Sequence, residues 1–546
     1  MSLQRSGGNK IVLREYQLTN FKAFAGPETI PIRPITLIYG PNSSGKSSVL
    51  QSLLLLKQTL QEAENPETLL LPKGNLVNLG GYREFIHRHD VSKSFSFKVV
   101  LDYCKEGTHN TFGNLVPDNL IETPLLGLKV AFNYNTETSN VVLSSVELFL
   151  GEESSPAVIY KPEKQDILEI EHSGYRETIL KVDNINYAYN FWNAWFVTYG
   201  KKIANNALAE VKSHLRQKNN KASQLQSERN KQKQEKIQEE IKQLIQWQKR
   251  FENYGFKEAI EDISKANLHS LIFCRNFLPS TSNALLVEKL SAPEIRYLFQ
   301  EHRRHWLPDV LGITLQSCSM FRRFLESFIY IGPLREYPER LYILSGNSSQ
   351  QVGKSGKMVS DILFRNPELL KQVNEQLERF GLEYELKVAS YTNKDTSELS
   401  DVFALRLVDK YTDVNVSLLD VGFGISQVLP IIVQSMLSRN TTLLIEQPEI
   451  HIHPRLQAEL GSLLAECIKP PLNNQFIIET HSEHLMLRLQ KLIRKGELKP
   501  EDVSVIYVDR GAEGSKCLHL RLDEEGDFID EWPGGFFEED FNEIFQ

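Results

Sequence analysis

The chain has 546 residues, 41% of them hydrophobic and 24% charged, with a formal net charge of −8. That length holds two to four domain-sized units of ordinary globular composition, and the acidic balance argues against a wholesale nucleic-acid binder. Five scattered cysteines without a Cys-x-x-Cys pair argue against a disulfide framework or a zinc site and fit buried thiols in a reducing compartment.

In chain order, Met1 to Lys10 is polar with no apolar signal core. No later stretch approaches ~18 continuous apolar residues, so a cytoplasmic protein without a membrane span is expected. Val12 to Phe21 reads as a strand that ends in Phe21-Lys22-Ala23-Phe24. The apolar, β-prone run Ile35–Tyr39 reads as a buried strand. It leads into Gly40-Pro41-Asn42-Ser43-Ser44-Gly45-Lys46-Ser47, the phosphate-loop pattern G-x-x-x-x-G-K-[ST], and then a helix opening at Ser48. Strand, glycine loop and helix form the context that the pattern requires. The glycines let the backbone wrap a triphosphate, so that N–H groups at the helix start meet anionic oxygens. Lys46 is expected to reach the β- and γ-phosphates, and Ser47 to bind Mg²⁺.

From Phe95 to about Leu180 the period falls to two: Phe95, Phe97, Val99, Leu101 and Tyr103 alternate with more polar residues, as do Leu128, Val130, Phe132 and Tyr134. This predicts an antiparallel sheet with one wet face. From about Asn190 to Ser327 the pattern turns helical. Lys201 to Arg250 carries 13 Lys and Arg against 5 acidic residues. Leu208, Val211 and Leu215, then Ile237, Ile241, Leu244 and Ile245, fall at helical spacing and predict an antiparallel helical pair with a solvated tip. Its heptad pattern is too short and weak for a long coiled-coil arm. Its lysines read either as a solvated face or as a phosphate-backbone contact for DNA or RNA, or a docking arm. The basic-aromatic cluster Glu301 to Trp306 reads either as a surface helix or as a nucleic-acid contact.

Phe328 to Leu334 reads as a strand, Asp361 to Phe380 as a helix and Glu383 to Val388 as a strand. Phe403 to Val408 with Val414 to Leu418 reads as a hairpin. The apolar runs Thr442–Ile445, Phe476–Ile478 and Val503–Val508, separated by helices, predict a parallel sheet shared with the strand before the phosphate loop. Three segments carry further chemistry. Leu419 to Pro430 is a Gly- and Ser-rich turn opening an apolar helix, a second anion site. Leu443 to Pro454 ends a buried strand in Glu446, placed to hold Mg²⁺, followed by Gln447 and Glu449. Phe476 to Leu485 ends a strand near His481. His451 and His453 with Glu449 read as a loop-shaping group more readily than as a metal set. Arg335 reads either as a phosphate contact or as the partner of a core acid.

This order of motifs resembles the ATP-binding-cassette ATPases of the structural-maintenance-of-chromosomes (SMC) group. It is most similar to the branch of overcoming-lysogenization-defect-like ATPases of bacterial anti-phage systems, such as the ATPase subunits of Septu and PARIS. Ile331 to Arg335 and Trp532 to Phe537 are similar to segments of predicted ATPases in that branch.

The resemblance implies an α/β fold: an ABC-type ATPase head with a mixed or parallel sheet, flanking helices and an antiparallel β subdomain, split by a helical, partly coiled-coil insert. It implies an N-terminal lobe over 1–189, an insert over 190–327 and a C-terminal lobe over 328–546. ATP is implied at Gly40, Pro41, Asn42, Ser43, Ser44, Gly45, Lys46, Ser47 and Ser48, with Mg²⁺ at Ser47 and the Walker B acid Glu446. Gly422, Gly424, Ser426 and Gln427 would form a degenerate signature motif that contacts the γ-phosphate held by the opposite protomer. His481 would be the switch histidine. A homodimer or higher homo-oligomer around ATP is the usual inference.

One departure matters. Where these ATPases commonly carry a water-polarising glutamate the chain has Gln447, and an amide cannot accept a proton as a carboxylate does. Slow hydrolysis, substitution by Glu449, or use of ATP as a clamp follow as alternatives. After His481 only about 65 residues remain, with no set of nuclease acids, and the Asp523–Asp540 tail reads as a folded cap or a docking segment. A separate effector, a nuclease or toxin, is therefore the expected partner. An SMC-like DNA-repair or DNA-binding head is the alternative, and a transporter subunit a third.

Overall fold

The computed structural model describes residues 11–65, 67–103, 125–151, 154–162, 178–185, 201–224, 231–253, 255, 271–279, 310–346, 349–392, 399–422 and 424–533. The chain opens with β1 (Ile11–Thr19), β2 (Glu28–Pro31), β3 (Ile35–Tyr39) and helix α1 (Lys46–Glu62), then the short α2 (Tyr82–Phe85). β4 (Phe95–Tyr103), β5 (Leu125–Asn135), β6 (Asn140–Leu150), β7 (Val158–Pro162) and β8 (Thr178–Ile185) follow, then α3 (Lys201–Gln224) and α4 (Lys231–Glu252). β9 (Leu271–Arg275), β10 (Leu278–Pro279) and α5 (Val310–Ser327) lead to β11 (Ile329–Ile331) and β12 (Tyr342–Ile343). Next come α6 (Val359–Arg365), α7 (Pro367–Arg379), β13 (Tyr384–Thr392), β14 (Leu399–Asp409) and β15 (Asn415–Ser417). The last part alternates α8 (Gly424–Leu437), β16 (Thr442–Glu446), α9 (Pro454–Cys467), β17 (Gln475–Glu479), α10 (Glu483–Arg494), β18 (Val503–Gly511) and β19 (Gly514–Leu520).

Three sheets result. An antiparallel sheet of nine strands runs β10-β9-β8-β7-β6-β5-β4-β1-β2. A six-stranded sheet runs β11-β16-β17-β3-β18-β19, parallel except for β19. A small antiparallel sheet runs β12-β14-β13, with β15 also on β14. The alternation in β4 and β5 buries Phe95, Phe97, Val99, Leu128, Val130 and Phe132 on one face. There Phe95 stacks on Phe132, and Phe97 meets Phe277 edge-on.

The parallel strands lie between two cores, which is why their sequences are apolar throughout rather than alternating. Ile38, Leu444, Ile477 and Ile506 face the core shared with the large sheet, α1 and α5. Ile35, Leu37, Leu443, Ile445, Phe476 and Ile478 face the core under α8, α9 and α10. Lys57, buried on α1, donates to the carbonyls of Glu326 (2.6 Å) and Phe328 (2.7 Å) at the end of α5, satisfying acceptors that a helix terminus leaves open. This joins the first helix to the start of the second lobe.

The mixed α/β head with an antiparallel subdomain is therefore the observed fold. One expectation is corrected: 190–327 is not helical throughout, because β9 and β10 return to close the edge of the nine-stranded sheet through β8. Thr178–Lys181 and Leu271–Cys274 pair across more than 80 intervening residues that include α3 and α4, so the helical pair is an excursion from a sheet. Val211, Leu244 and Phe251 form the small core of that pair, and Lys212–Glu252 (3.4 Å) and Lys218–Glu240 tie its flanks. Ile245, expected on the apolar face, is exposed. The tip at 225–230, the Glu301–Trp306 cluster, Phe423 and residues 534–546 lie outside the described residues. Among the described residues no helix is long and apolar enough to cross a membrane.

Candidate active site

Parallel strands end together, so the turns that follow β3, β16 and β17 share one edge of the sheet. Register places Ile38 beside Glu479 and Glu479 beside Glu446. Side chains at paired positions point to the same face of a sheet, so the two glutamates stand side by side.

The loop after β3 needs its glycines. Gly40 has φ of 140°, and a Cβ there would lie 2.4 Å from the Val508 carbonyl oxygen. Gly45, with φ of 107°, precedes α1 without a side-chain cap, so the amides of the first turn are not closed off by a capping side chain. Pro41, Asn42 and Ser43 form an exposed crest, while Ser44 and Ser48 are buried. The Ser44 Oγ is buried without a partner among the described residues, and its carbonyl accepts from Ser515 Oγ at 2.5 Å. The Ser48 N–H donates to the Gly45 carbonyl. Lys46 folds back on its own loop, donating to the carbonyls of Gly40 and Pro41, both at 2.9 Å. Burial lowers its pKa, opposed by the charges of Glu479 and Glu449. A lysine held on two carbonyls is a cation in waiting for a stronger anionic acceptor.

Glu446 is 7% exposed and accepts from the Tyr330 hydroxyl at 3.0 Å. Burial first, and the neighbouring Glu479 charge second, push its pKa up to about 7. Glu479 is 3% exposed, and its Oε1 accepts from Ser47 Oγ at 2.8 Å. Its Oε2 is buried without a partner among the described residues. Burial raises its pKa, and the Ser47 bond and Lys46 pull the other way. Sequence reasoning placed Ser47 with Glu446; the structure brings Ser47 to Glu479, which that reasoning did not single out.

Gln447 takes a left-handed conformation, φ 44°. Its N–H donates to the Glu479 carbonyl (2.8 Å) and its own carbonyl accepts from Arg335 (3.0 Å). Arg335, 5% exposed, also donates to the Glu446 carbonyl at 2.9 Å. Its hydrogen bonds go to the backbone of the turn after β16 and, at 3.4 Å, to the Pro333 carbonyl, none of them to a core carboxylate, while its Nε is buried without a partner among the described residues. Burial pushes its pKa down to about 10.

Glu449 is likewise engaged. One oxygen accepts from Thr480 Oγ1 (2.7 Å) and the other from the His481 N–H (2.8 Å). It straps the turn after β17. Burial, then Lys46, lower the pKa of His481. His453 caps α9, its Nδ1 accepting from the Arg455 N–H at 3.2 Å. His451 is exposed with φ of 61°. Among the described residues no group of three His, Cys, Asp or Glu is placed to hold a metal ion.

The signature candidates divide. Gly422 is exposed with open space around it. Gly424 starts α8, where a Cβ would come within 3.1 Å of the His451 carbonyl oxygen. Ser426 and Gln427 are 8% and 2% exposed, within their own protomer. Ser426 lines a cleft of about 490 Å³ with Tyr337, Ile343 and Pro430.

Two residues near the site escaped the sequence reading. Tyr330 lies one register from the end of the short strand β11 and meets Glu446. Lys22 donates to Gln51 at 2.5 Å, and its pKa, lowered by burial, is raised in part by the Glu446 charge. The only signal was an isolated lysine between Phe21 and Ala23. At the other end, Trp532 packs edge-on against Tyr39 (5.5 Å), Tyr507 (5.9 Å) and Phe528 (5.0 Å). The tail as far as residue 533 is thus folded against the strand that feeds the phosphate loop.

A family model described as an AAA ATPase domain matches residues 12–304 and 323–486. A second, described as a protein of unknown function (DUF3696), matches 498–546. Among solved structures, the chain is similar to the Smc head domain with an extended coiled coil bound to the C-terminal domain of ScpA, from Pyrococcus furiosus. The identity is 12%, with 94% of this chain and 96% of that chain covered and a TM-score of 0.36. The SMC head domain from Thermotoga maritima is 10% identical, with 93% and 99% covered and a TM-score of 0.34. No curated protein matches the chain.

Proposed function

The chain belongs to the AAA ATPase domain family, and from that premise we propose that it is a cytosolic ATPase whose protomers pair around ATP·Mg²⁺ and control a separate effector. The observation that carries this reading is the meeting of the 40–47 loop, Glu446, Glu479 and His481 at one sheet edge.

In this reading the amides of the first α1 turn and the loop hold the phosphates. Lys46 leaves the Gly40 and Pro41 carbonyls for the β- and γ-oxygens, a charge-assisted exchange. The site suits Mg²⁺: Ser47 and Glu446, the acid paired with Glu479 across the sheet, are hard oxygen donors. Bound Mg²⁺ would neutralise charge on the β- and γ-phosphates. His481, at the end of the turn after β17, is placed in this reading to meet a γ-phosphate oxygen. The exposed Gly422 and the start of α8 are the parts of the signature segment offered to a second protomer, with Ser426 and Gln427 supporting them from beneath. Gln447 makes turnover slow.

The effector in this reading is a nuclease or toxin of an anti-phage system, the role that the resemblance of the motif order to that branch of ATPases implies. A second reading, an SMC-like DNA-binding head, is favoured by one observation: Lys221, Lys231, Lys233 and Lys236 are all exposed near the tip of the α3–α4 pair.

Phosphate release and solution mass, measured together with Mg-ATP, test the proposal. Wild type should turn over slowly and gain mass with ATP, and Lys46→Ala should do neither. ATP-independent mass with no ATP binding would overturn it. Metal-dependent nuclease activity in the pure chain would overturn the division of labour.

A further inference from the structure

We propose that Glu479 supplies the water-activating carboxylate that Gln447 does not, so that the acid has moved one strand across, from the turn after β16 to the end of β17. The inference rests on the hydrolysis reading above and deepens it.

Three observations carry it. First, position: β17 lies directly between β16 and β3, and Glu479 is the paired residue of both Glu446 and Ile38. Its Oε1 is 2.8 Å from Ser47 Oγ, the loop hydroxyl expected at the β,γ end of the nucleotide. Second, its other oxygen is buried and unpartnered among the described residues. A carboxylate oxygen out of water without a donor is costly, and a bound water or a ligand relieves that cost. Third, the competitors are engaged. Glu449 holds Thr480 and the His481 amide with its two oxygens. Glu446 holds the Tyr330 hydroxyl. Gln447 is pinned through its backbone to Glu479 and Arg335, and its amide side chain cannot take a proton.

In the step so assigned, a water oxygen bonds to the γ-phosphorus as the bond from that phosphorus to the β,γ-bridging oxygen breaks. The electron pair leaves with ADP, and the water proton passes to the Glu479 carboxylate and then to the departing phosphate. Ser47 and Lys46 hold the carboxylate and the phosphates in register.

The test compares wild type, Glu479→Gln and the double variant Gln447→Glu/Glu479→Gln, using phosphate release, affinity for a fluorescent ATP analogue with and without Mg²⁺, and solution mass. A positioned base is worth ~10²–10⁴ in rate. Glu479→Gln should therefore lose at least ~100-fold in turnover, keep Mg²⁺-dependent nucleotide affinity within about threefold, and accumulate the ATP-bound assembly. Restoring an acid at 447 should return at least about tenfold of the lost rate. Turnover of Glu479→Gln within about threefold of wild type would overturn the inference. Loss of the Mg²⁺ dependence of nucleotide affinity would also overturn it, by making Glu479 a metal ligand alone. Failure of the hydrolysis reading itself shows in the wild-type arm, as binding without any Lys46-dependent phosphate release, and it removes the inference with it.

Discussion

Arg335 offers the sharpest separation between a structural and a nucleotide-contacting role. Replacing it with alanine removes charged hydrogen bonds to the carbonyls of Glu446 (2.9 Å) and Gln447 (3.0 Å), and a longer one (3.4 Å) to that of Pro333. Hydrogen bonds to a charged group contribute ~1.5–3 kcal/mol each and the Glu446 carbonyl is on a buried residue, so loss of the two shorter bonds should cost about 3–5 kcal/mol. The same change frees the left-handed Gln447, whose N–H is the cross-link to β17. Chemical denaturation of the nucleotide-free protein should show a lowered midpoint, and hydrogen exchange should show faster exchange around 446–449. Affinity for Mg-ATP should fall only as far as the turn has loosened, and Arg335→Lys should recover part of the stability. The refuting result is unchanged nucleotide-free stability, within about 1 kcal/mol, with ATP affinity reduced by 100-fold or more. That pattern belongs to a phosphate contact, the reading the sequence left open.

Other outcomes follow from the same geometry. Lys46→Ala should abolish nucleotide-stimulated phosphate release while leaving the nucleotide-free denaturation midpoint near wild type, since the lysine's present acceptors are loop carbonyls. Glu446 has a folded pKa near 7, above the ordinary carboxylate value. The native state therefore holds a proton that the unfolded chain releases between pH ~4.5 and 7, so this group favours folding at low pH and that contribution falls through this window by at most about 3 kcal/mol. Glu446→Gln should flatten the pH dependence of nucleotide-free stability between pH 5 and 7, and an unaltered slope would contradict the assignment. Trp532→Ala removes edge contacts to Tyr39, Tyr507 and Phe528 and should lower stability by about 2 kcal/mol, read by thermal unfolding. Changing Lys221, Lys231, Lys233 and Lys236 to Gln should weaken duplex-DNA binding and flatten its salt dependence if the second reading holds.

The phosphate loop was legible in sequence because its chemistry is local. Gly40, Gly45 and Lys46 work through backbone angles and reach that eight consecutive residues determine, and the apolar run Ile35–Tyr39 announces the strand that presents them. Continuous apolarity in β16, β17 and β18 likewise identified strands covered on both faces, hence the parallel sheet. Strand ends are where the acids were expected, and Glu446 does end β16 while His481 follows the end of β17. What tertiary structure alone decided is which acid meets which hydroxyl. Strand order is set by how two cores share the sheet, and no local pattern encodes that β17, and not β16, lies beside β3. That order gives Ser47 to Glu479 across 432 positions of sequence, Arg335 to the turn after β16 across 111 and 112, and Glu449 to the turn after β17. β9 and β10 were missed for the same reason. Two short strands are too brief to show a period of two, and they become strands because β8 offers β9 an unpaired edge and β9 in turn offers one to β10. Local chemistry marks the residues that can act; long-range register decides which of them stand together.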